Sequence, residues 1–425
     1  MQPGSERKLI DDCFLHDHDR LRHDEALELL KTRLTTLAGE TQCPLIEACG
    51  RIVSRDIVAA RSVPGHDNSA VDGYALRHRD LGEGGSTFAV TTRIAAGELA
   101  PQSIGEGQAA RIFTGAIIPQ GADTVAMQED CRAEGEDHVS IPGGLKKGAN
   151  LRCAGEDLAS GERIVERGRR LLPQDVAALA STGIDTLPVF APLRVGLISS
   201  GNELRRPGEE ALPGQVYDAN RYMLVSLLRP LGVELVDLGA IRDDRRAVRD
   251  ALAEAAQRCD VVLSTGGASR GEEDHMLGAL DELGKRHLWQ LAVKPGRPMM
   301  MGQIADTLYF GLPGNPVAAF VCFLLYVRPA ILHVSGALWQ LPRHFEVIAG
   351  FEVTGKKPDR REFWRGWLEN DADANPVARK FERDGSGLIS GLRQATGLID
   401  IGEPVTDVRP GDRVRFIPFS EFGLV

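Results

Sequence analysis

"DVVLSTGGASRGEEDH", Asp260 to His275, is the stretch that decides the fold. Val261, Val262 and Leu263 suit a strand covered on both faces, and such strands read as unbroken apolar runs. The run ends at Gly266 and Gly267, where the absence of side chains lets a ligand approach backbone N–H groups that suit an anion. Glu272, Glu273 and Asp274 then follow and would repel an anion unless a cation sits between them. A strand, then glycines, then acids is the order expected at the C-terminal edge of an open α/β sheet, where ligands of such sheets bind.

The flanking sequence repeats this rhythm. Apolar runs at 193–200, 233–239, 288–293 and 306–312 predict further strands, and periodic segments at 217–231, 244–258, 272–284 and 316–327 predict the helices between them. The expected outline is therefore an α/β domain over 191–340. Glycine-rich short runs over 63–170 predict a β-rich domain, and 341–425 a small C-terminal β domain closing with the turn and alternating strand of "PGDRVRFIPF". Residues 21–62 and 171–190 are assigned to an N-terminal linker and helical domain. Its first helix, "HDEALELLKTRL", is expected to be capped by Asp24.

A chain of 425 residues is long enough for about three domains. Its 50 basic and 60 acidic residues give a net charge of −10, with no basic run able to track a phosphate backbone, so nucleic acid is not expected as a partner. Seven scattered cysteines with no C-x-x-C spacing fit reduced thiols and a cytoplasmic location. The apolar run Val317–Val327 stops at Arg328-Pro329, short of the ~20 residues a membrane span needs, and no membrane partner is expected. Cys13, His16, His18 and His23 match no metal-ligand spacing and read as a polar N-terminal tail.

Four predicted strand ends carry unusual loops: "SSGNE", "IRDD", "STGGASRGEED" and "GLPGNP". Any one of them is explained by a tight turn. Together they bring Glu203, Asp243 and Asp274 to one edge beside Ser264, Gly266 and Gly267, a combination suited to a phosphorylated ligand with Mg²⁺ on Asp243 and Asp274. "RDD" can equally be an ordinary helix cap, and Glu272 and Glu273 are acids at a helix start. "KPGRP" adds Lys294 and Arg297 as candidates for an oxyanion, with a solvated turn as the alternative. In the β-rich domain, Asp67 and Asn68 fit an Asx-turn, whereas Asp72 between Val71 and Gly73 is a candidate for chemistry.

Taken in order, "PGHDNSAVDGYA", "RIFTGAIIP", "LRCAGEDL", "SSGNEL", "IRDD", "STGGASRGEEDH", "KPGRP" and "GLPGNPVA" resemble the molybdopterin molybdenumtransferase family, whose eukaryotic relatives include gephyrin. The resemblance runs from about Leu21 nearly to the end. It implies an elongated four-part subunit with a three-layer molybdopterin-binding α/β domain, and a homodimer whose sites are shared between subunits. It also implies the reaction: adenylated molybdopterin and molybdate, with Mg²⁺, give molybdenum cofactor and AMP. By motif position it places catalytic roles on Asp72, Asp157, Glu203, Asp243 and Asp274, and substrate contacts on Thr114, Lys294, Pro313, Pro316, Arg365 and Ser386. A molybdopterin adenylyltransferase and recipient molybdoenzymes are the protein partners implied. The chain departs from the family pattern at Gln290 and Arg297, where lysines are common, and at Arg270, where a small or apolar residue is. Two rival readings remain at this point: a receptor-clustering scaffold, and a pterin adenylyltransferase using the same loops for ATP.

Overall fold

The computed structural model describes residues 20–99, 103–266 and 275–424. Its centre is a six-stranded sheet with the spatial order Glu234–Ile241, Arg194–Ser200, Val261–Thr265, Thr307–Leu312, Met300–Ile304, Lys285–Trp289. The first four strands are parallel and the last two antiparallel. Val261 to Leu263 and Leu308 to Phe310 are almost completely buried, the consequence of covering a sheet with helices on both faces. One face packs on Ala219–Leu228 and on the helical segment 316–334, the other on Arg245–Arg258 and His275–Leu283. The three layers are those of a doubly wound α/β domain.

Two sequence expectations change here. The predicted strand 288–293 is divided, because Gln290 adopts a left-handed backbone (φ 73°) that ends Lys285–Trp289. Val293 and Lys294 then pair with Arg361 and Glu362 in the C-terminal sheet, which ties that domain to the α/β domain. The helix beginning at Pro316 also passes through Arg328-Pro329 and reaches Val334. A π-helical turn over Phe323–Val327, in which the Arg328 N–H reaches back to Phe323, precedes Pro329, whose ring and missing N–H do not fit a regular helix interior. At 19 residues this segment is long and apolar enough to cross a membrane, but 83% of its apolar window is buried inside the protein, as in a core helix.

The N-terminal helix His23–Arg33 joins the α/β core through Ala26, Leu27, Leu30 and Leu34. Arg22 occupies the N-cap position, its N–H donating to Glu25 at 2.8 Å, while Asp24 lies in the first turn and pairs with Arg361 at 3.1 Å. His23 is buried against Tyr326, with Nδ1 and the phenol oxygen 2.7 Å apart, and burial lowers its pKa to about 4. His23 is therefore a neutral core residue; Cys13, His16 and His18 lie outside the described residues. Strands Glu40–Pro44 and Thr186–Phe190 pair around a separate small core with helix Pro173–Ser181.

The β-rich region is a six-stranded mixed sheet in the order Thr124–Met127, Gly73–Leu76, Gln108–Ile112, Ser86–Ile94, His138–Ile141, Arg132–Glu134. The C-terminal sheet places Arg361–Asn370 at its centre, against Pro376–Lys380 and Gly397–Ile401, and closes with Arg413–Pro418.

Candidate functional site

The parallel strands Arg194–Ser200 and Val261–Thr265 lie side by side with Ser199 opposite Thr265, and their C-terminal ends form the crevice where the strand order reverses. Gly266 turns away with φ 85°; a side chain there would place its Cβ 2.3 Å from the Ser200 carbonyl oxygen, so the close turn requires glycine. Thr265 is held by the Asn220 amide, which donates to its hydroxyl at 2.9 Å and to the Gly314 carbonyl at 2.7 Å. Asn220 thus ties the glycine turn to the Pro313–Asn315 loop. Ser264, expected to meet substrate, is fully buried, with its hydroxyl 2.6 Å from the Tyr309 phenol oxygen.

The "RDD" motif divides its work between neighbours. Asp244 caps helix Arg245–Arg258 by accepting from the Ala247 N–H at 2.9 Å. Asp243 is left to the strand edge, where it accepts from the Ser200 hydroxyl while its own N–H donates to the Asn202 side chain at 3.3 Å. Glu203 follows on the same loop, and its carboxylate lies within 2.9 Å of where a Cβ on Gly201 would stand. Gly267, Asp274 and Arg270 lie outside the described residues.

Beyond the Pro313–Asn315 loop lies a cavity of ≈ 280 Å³ between the α/β and C-terminal domains. It brings together Lys294, Arg297, Pro313, Arg365 and Ser386 from the sequence reading, with Pro316 beginning the helix beside it. The Val317 N–H donates to the Ser386 carbonyl at 3.0 Å, so the helix start and the C-terminal domain share a wall. Arg20, Arg360 and Lys380 also line it. Crowding is evident electrostatically: burial first, then Arg20 and Arg360, lower the pKa of Arg297.

Its cations are not equivalent. Lys294 lies 3.6 Å from Glu362, a buried carboxylate that also accepts from Arg360 and from the Trp364 indole, both at 2.8 Å. Lys380 is paired with Asp384 at 2.6 Å. Arg365 donates to the carbonyls of Leu388 at 2.8 Å and Arg383 at 2.6 Å, so its guanidinium clamps the loop that carries Ser386. Arg20, Arg360, Lys380 and the Glu362–Trp364 support were not singled out from sequence. The crowded "KPDRREFWRG" at 357–366 was the available signal, but its strand pairing with Lys294 is long-range.

In the β-rich domain, Thr114 donates both its N–H and its hydroxyl to Asp72, each at 2.8 Å, and these bonds hold the Asp72 carboxyl below the usual carboxylate range. Gly73 must be glycine, since a Cβ there would fall 1.9 Å from the Ala126 carbonyl oxygen. Asp157 is exposed on the loop whose N–H groups reach back to the Val63 carbonyl. Among the described residues, no hydrogen bond or ion pair joins Asp72, Thr114 or Asp157 to the strand-end acids.

This combination defines the class: a multidomain chain built around a ligand-binding α/β domain with a charged cleft against a C-terminal β domain. Residues 21–183 match the MoeA N-terminal region (domain I and II), 196–333 the probable molybdopterin binding domain, and 348–419 the MoeA C-terminal region (domain IV). The chain is 34% identical over 377 residues to a molybdopterin molybdenumtransferase of Haemophilus influenzae, covering 88% of this chain and 93% of that one. It is 32% identical to molybdopterin molybdenumtransferase 2 of Mycobacterium tuberculosis, again over 88% and 93%. The crystal structure of the molybdopterin biosynthesis MoeA protein from Pyrococcus horikoshii superposes with a TM-score of 0.82 at 30% identity, covering 94% of this chain and 100% of that one. The chain belongs to the molybdopterin molybdenumtransferase, or MoeA, family.

Proposed function

We propose that this protein transfers molybdate into adenylated molybdopterin and releases AMP, acting as a Mg²⁺-dependent cytoplasmic homodimer. The observation that carries the reading is the continuity of two unlike subsites across the Pro313–Asn315 loop. One face of that loop belongs to the glycine-turned strand edge, and the other lines the cationic cavity.

Molybdate is a dianion, so carboxylates cannot hold it. Lys294 and Arg297 supply charge, Ser386 a hydroxyl, and Arg365 fixes the loop that presents it. The strand edge suits the pyrophosphate of the adenylated pterin, with the backbone turn at Gly266 allowing close approach. Ser200, Asp243 and Glu203 supply only oxygen donors, which fit a hard cation. Mg²⁺ takes one or two protein carboxylates and completes its shell with phosphate oxygens and water. Asp243, together with Asp274, would hold it, and bound Mg²⁺ neutralises charge on phosphoryl oxygens. A water attacks the pterin-side phosphorus, the phosphoanhydride P–O bond breaks so that AMP departs and the pterin keeps its monophosphate, and molybdate gives up one oxygen as water in bonding to the two thiols of the pterin. Asp72, kept ionised by Thr114, completes the site from the second subunit; among the described residues of one chain no hydrogen bond joins it to Asp243.

The test is direct: purified protein is incubated with adenylated molybdopterin, molybdate and Mg²⁺, and AMP is measured. AMP should form in step with molybdenum insertion. No AMP above the molybdate-free control overturns the reading. ATP consumption without molybdate, giving adenylated pterin and pyrophosphate, would assign the chain to the adenylyltransferase reaction instead.

A further inference from the structure

A second cavity, ≈ 580 Å³, lies on another part of the molecule, where Arg170 of the N-terminal region meets Arg328 and the segment 337–343. Its charged residues divide into two groups. Arg169 is bonded to both carboxylate oxygens of Asp175, at 2.9 and 3.1 Å, and Arg343 to both of Glu421, at 3.0 and 3.2 Å. Among the described residues, Arg328 and Arg170 have no carboxylate partner, and Arg170 donates to the backbone carbonyls of Gly50 and Pro230. The Arg328 Nε is buried without a hydrogen-bond partner, and its guanidinium carbon lies 5.8 Å from the centre of the Phe422 ring.

A guanidinium withdrawn from water without a counter-ion is costly, and a second cation beside it adds to the cost. The protein feels this directly: burial, then repulsion from Arg170, lower the pKa of Arg328 to about 10, which still leaves it charged at neutral pH. Folding has thus retained two neighbouring arginines in a cavity where, among the described residues, the one lining carboxylate is already engaged by Arg343. Leu172, Leu338 and Leu341 line the same cavity and remain substantially exposed, which gives it an apolar wall as well as a cationic one. The volume is within the range of small-molecule sites, roughly 300–1,000 Å³.

We propose that this cavity binds a phosphate group, free or carried on an apolar body, through Arg328 and Arg170. Arginine matches phosphate oxygens with paired donors, so the orphaned Nε acquires an acceptor and the two cations a shared counter-charge. This site is separate from the molybdate cavity and does not depend on the function proposed for that cavity.

The probes are inorganic phosphate and phenyl phosphate, titrated calorimetrically into the full chain, into Arg328→Met and Arg170→Gln, and into Arg297→Gln as a control for binding in the other cavity. Loss of a charge-assisted pair should weaken binding about 10-fold or more in the first two variants, whereas Arg297→Gln should remove only the contribution of the other cavity. Arg328→Met removes an uncompensated charge and should remain folded, and circular dichroism checks this; Arg170→Gln provides an independent arm. Phenyl phosphate binding more tightly than phosphate supports an organic monoester, and equal binding supports the free anion. Absence of binding, or equal affinity in wild type, Arg328→Met and Arg170→Gln, overturns the proposal. So does a change in oligomeric mass in Arg328→Met without any phosphate response, because the counter-ion would then come from a second copy.

Discussion

The strand edge and the interdomain cavity touch the same three-residue loop yet are built on opposite principles. The edge is built of backbone and short side chains: a glycine turn, Ser200, Thr265 and the amide of Asn220. Its acids stand there because Asp244, rather than Asp243, caps the following helix. The cavity is built of long cations, and much of the structure restrains them: Glu362 under Lys294 and Arg360, Asp384 against Lys380, carbonyls around Arg365. The difference teaches how one chain can place acids and cations near one another. The cavity sets its own carboxylates, Glu362 and Asp384, against its cations, while the acids of the edge stand across a neutral Pro-Gly-Asn loop.

The largest effect should come from removing charge at the edge. Asp243→Asn keeps the side chain's shape but supplies a weaker ligand, and Mg²⁺-dependent AMP release should fall on the order of 100-fold with little loss of fold. A wild-type rate at limiting Mg²⁺ would remove Asp243 from the metal assignment. Asp72→Asn should be similarly inactive alone. Mixing it with Asp243→Asn and allowing subunit exchange should restore about a quarter of wild-type activity, since half the dimers are mixed and each has one intact site. If mass spectrometry confirms exchange and the mixture stays inactive, the shared-site arrangement fails.

Next in size are changes to the cavity. Arg365→Lys loses the fork that bonds two carbonyls at once and should destabilise the C-terminal domain by about 2 kcal/mol, measured by denaturant unfolding followed through the tryptophans. An unchanged midpoint would show that the 383–388 loop is held by its other contacts. Lys294→Gln should raise the molybdate concentration for half-maximal rate about 10-fold while leaving that for the pterin nearly unchanged. Equal changes in both would move Lys294 from molybdate to the pyrophosphate.

The smallest effect concerns protonation of Asp72. Its pKa is lowered in the folded protein, so the ionised form is present above that value and is lost as pH falls through it. Thr114→Val removes the hydroxyl donor and keeps the N–H. The acid limb of kcat/KM should therefore move upward, by less than about one pH unit. A downward shift would contradict the carboxylate assignment.

Much of the edge was legible in the linear chain because its signals are local. Apolar runs that need cover on both faces announce parallel strands, and glycine at Gly266 announces a turn too tight for a side chain. The ambiguity between Asp243 and Asp244 could not be resolved that way, since either can cap a helix and only the position of Ser200 on a neighbouring strand separates their roles. Ser264 posed the same difficulty: successive strand residues face opposite ways, and only the tertiary contacts show that its hydroxyl meets the Tyr309 phenol while that of Thr265, also buried, meets the Asn220 amide.

By itself the sequence determined the alternation of elements, the turns and the supply of charged groups, because helix period, strand burial and glycine geometry act over a few residues. The tertiary structure decided which charges share a wall. Lys294 meets Glu362 because Val293–Lys294 leaves the central sheet and pairs with Arg361–Glu362, and Arg365 reaches Ser386 through the loop it clamps. A side chain's electrostatic role depends on neighbours within a few ångströms, and the chain brings those neighbours in from distant positions only when its domains pack.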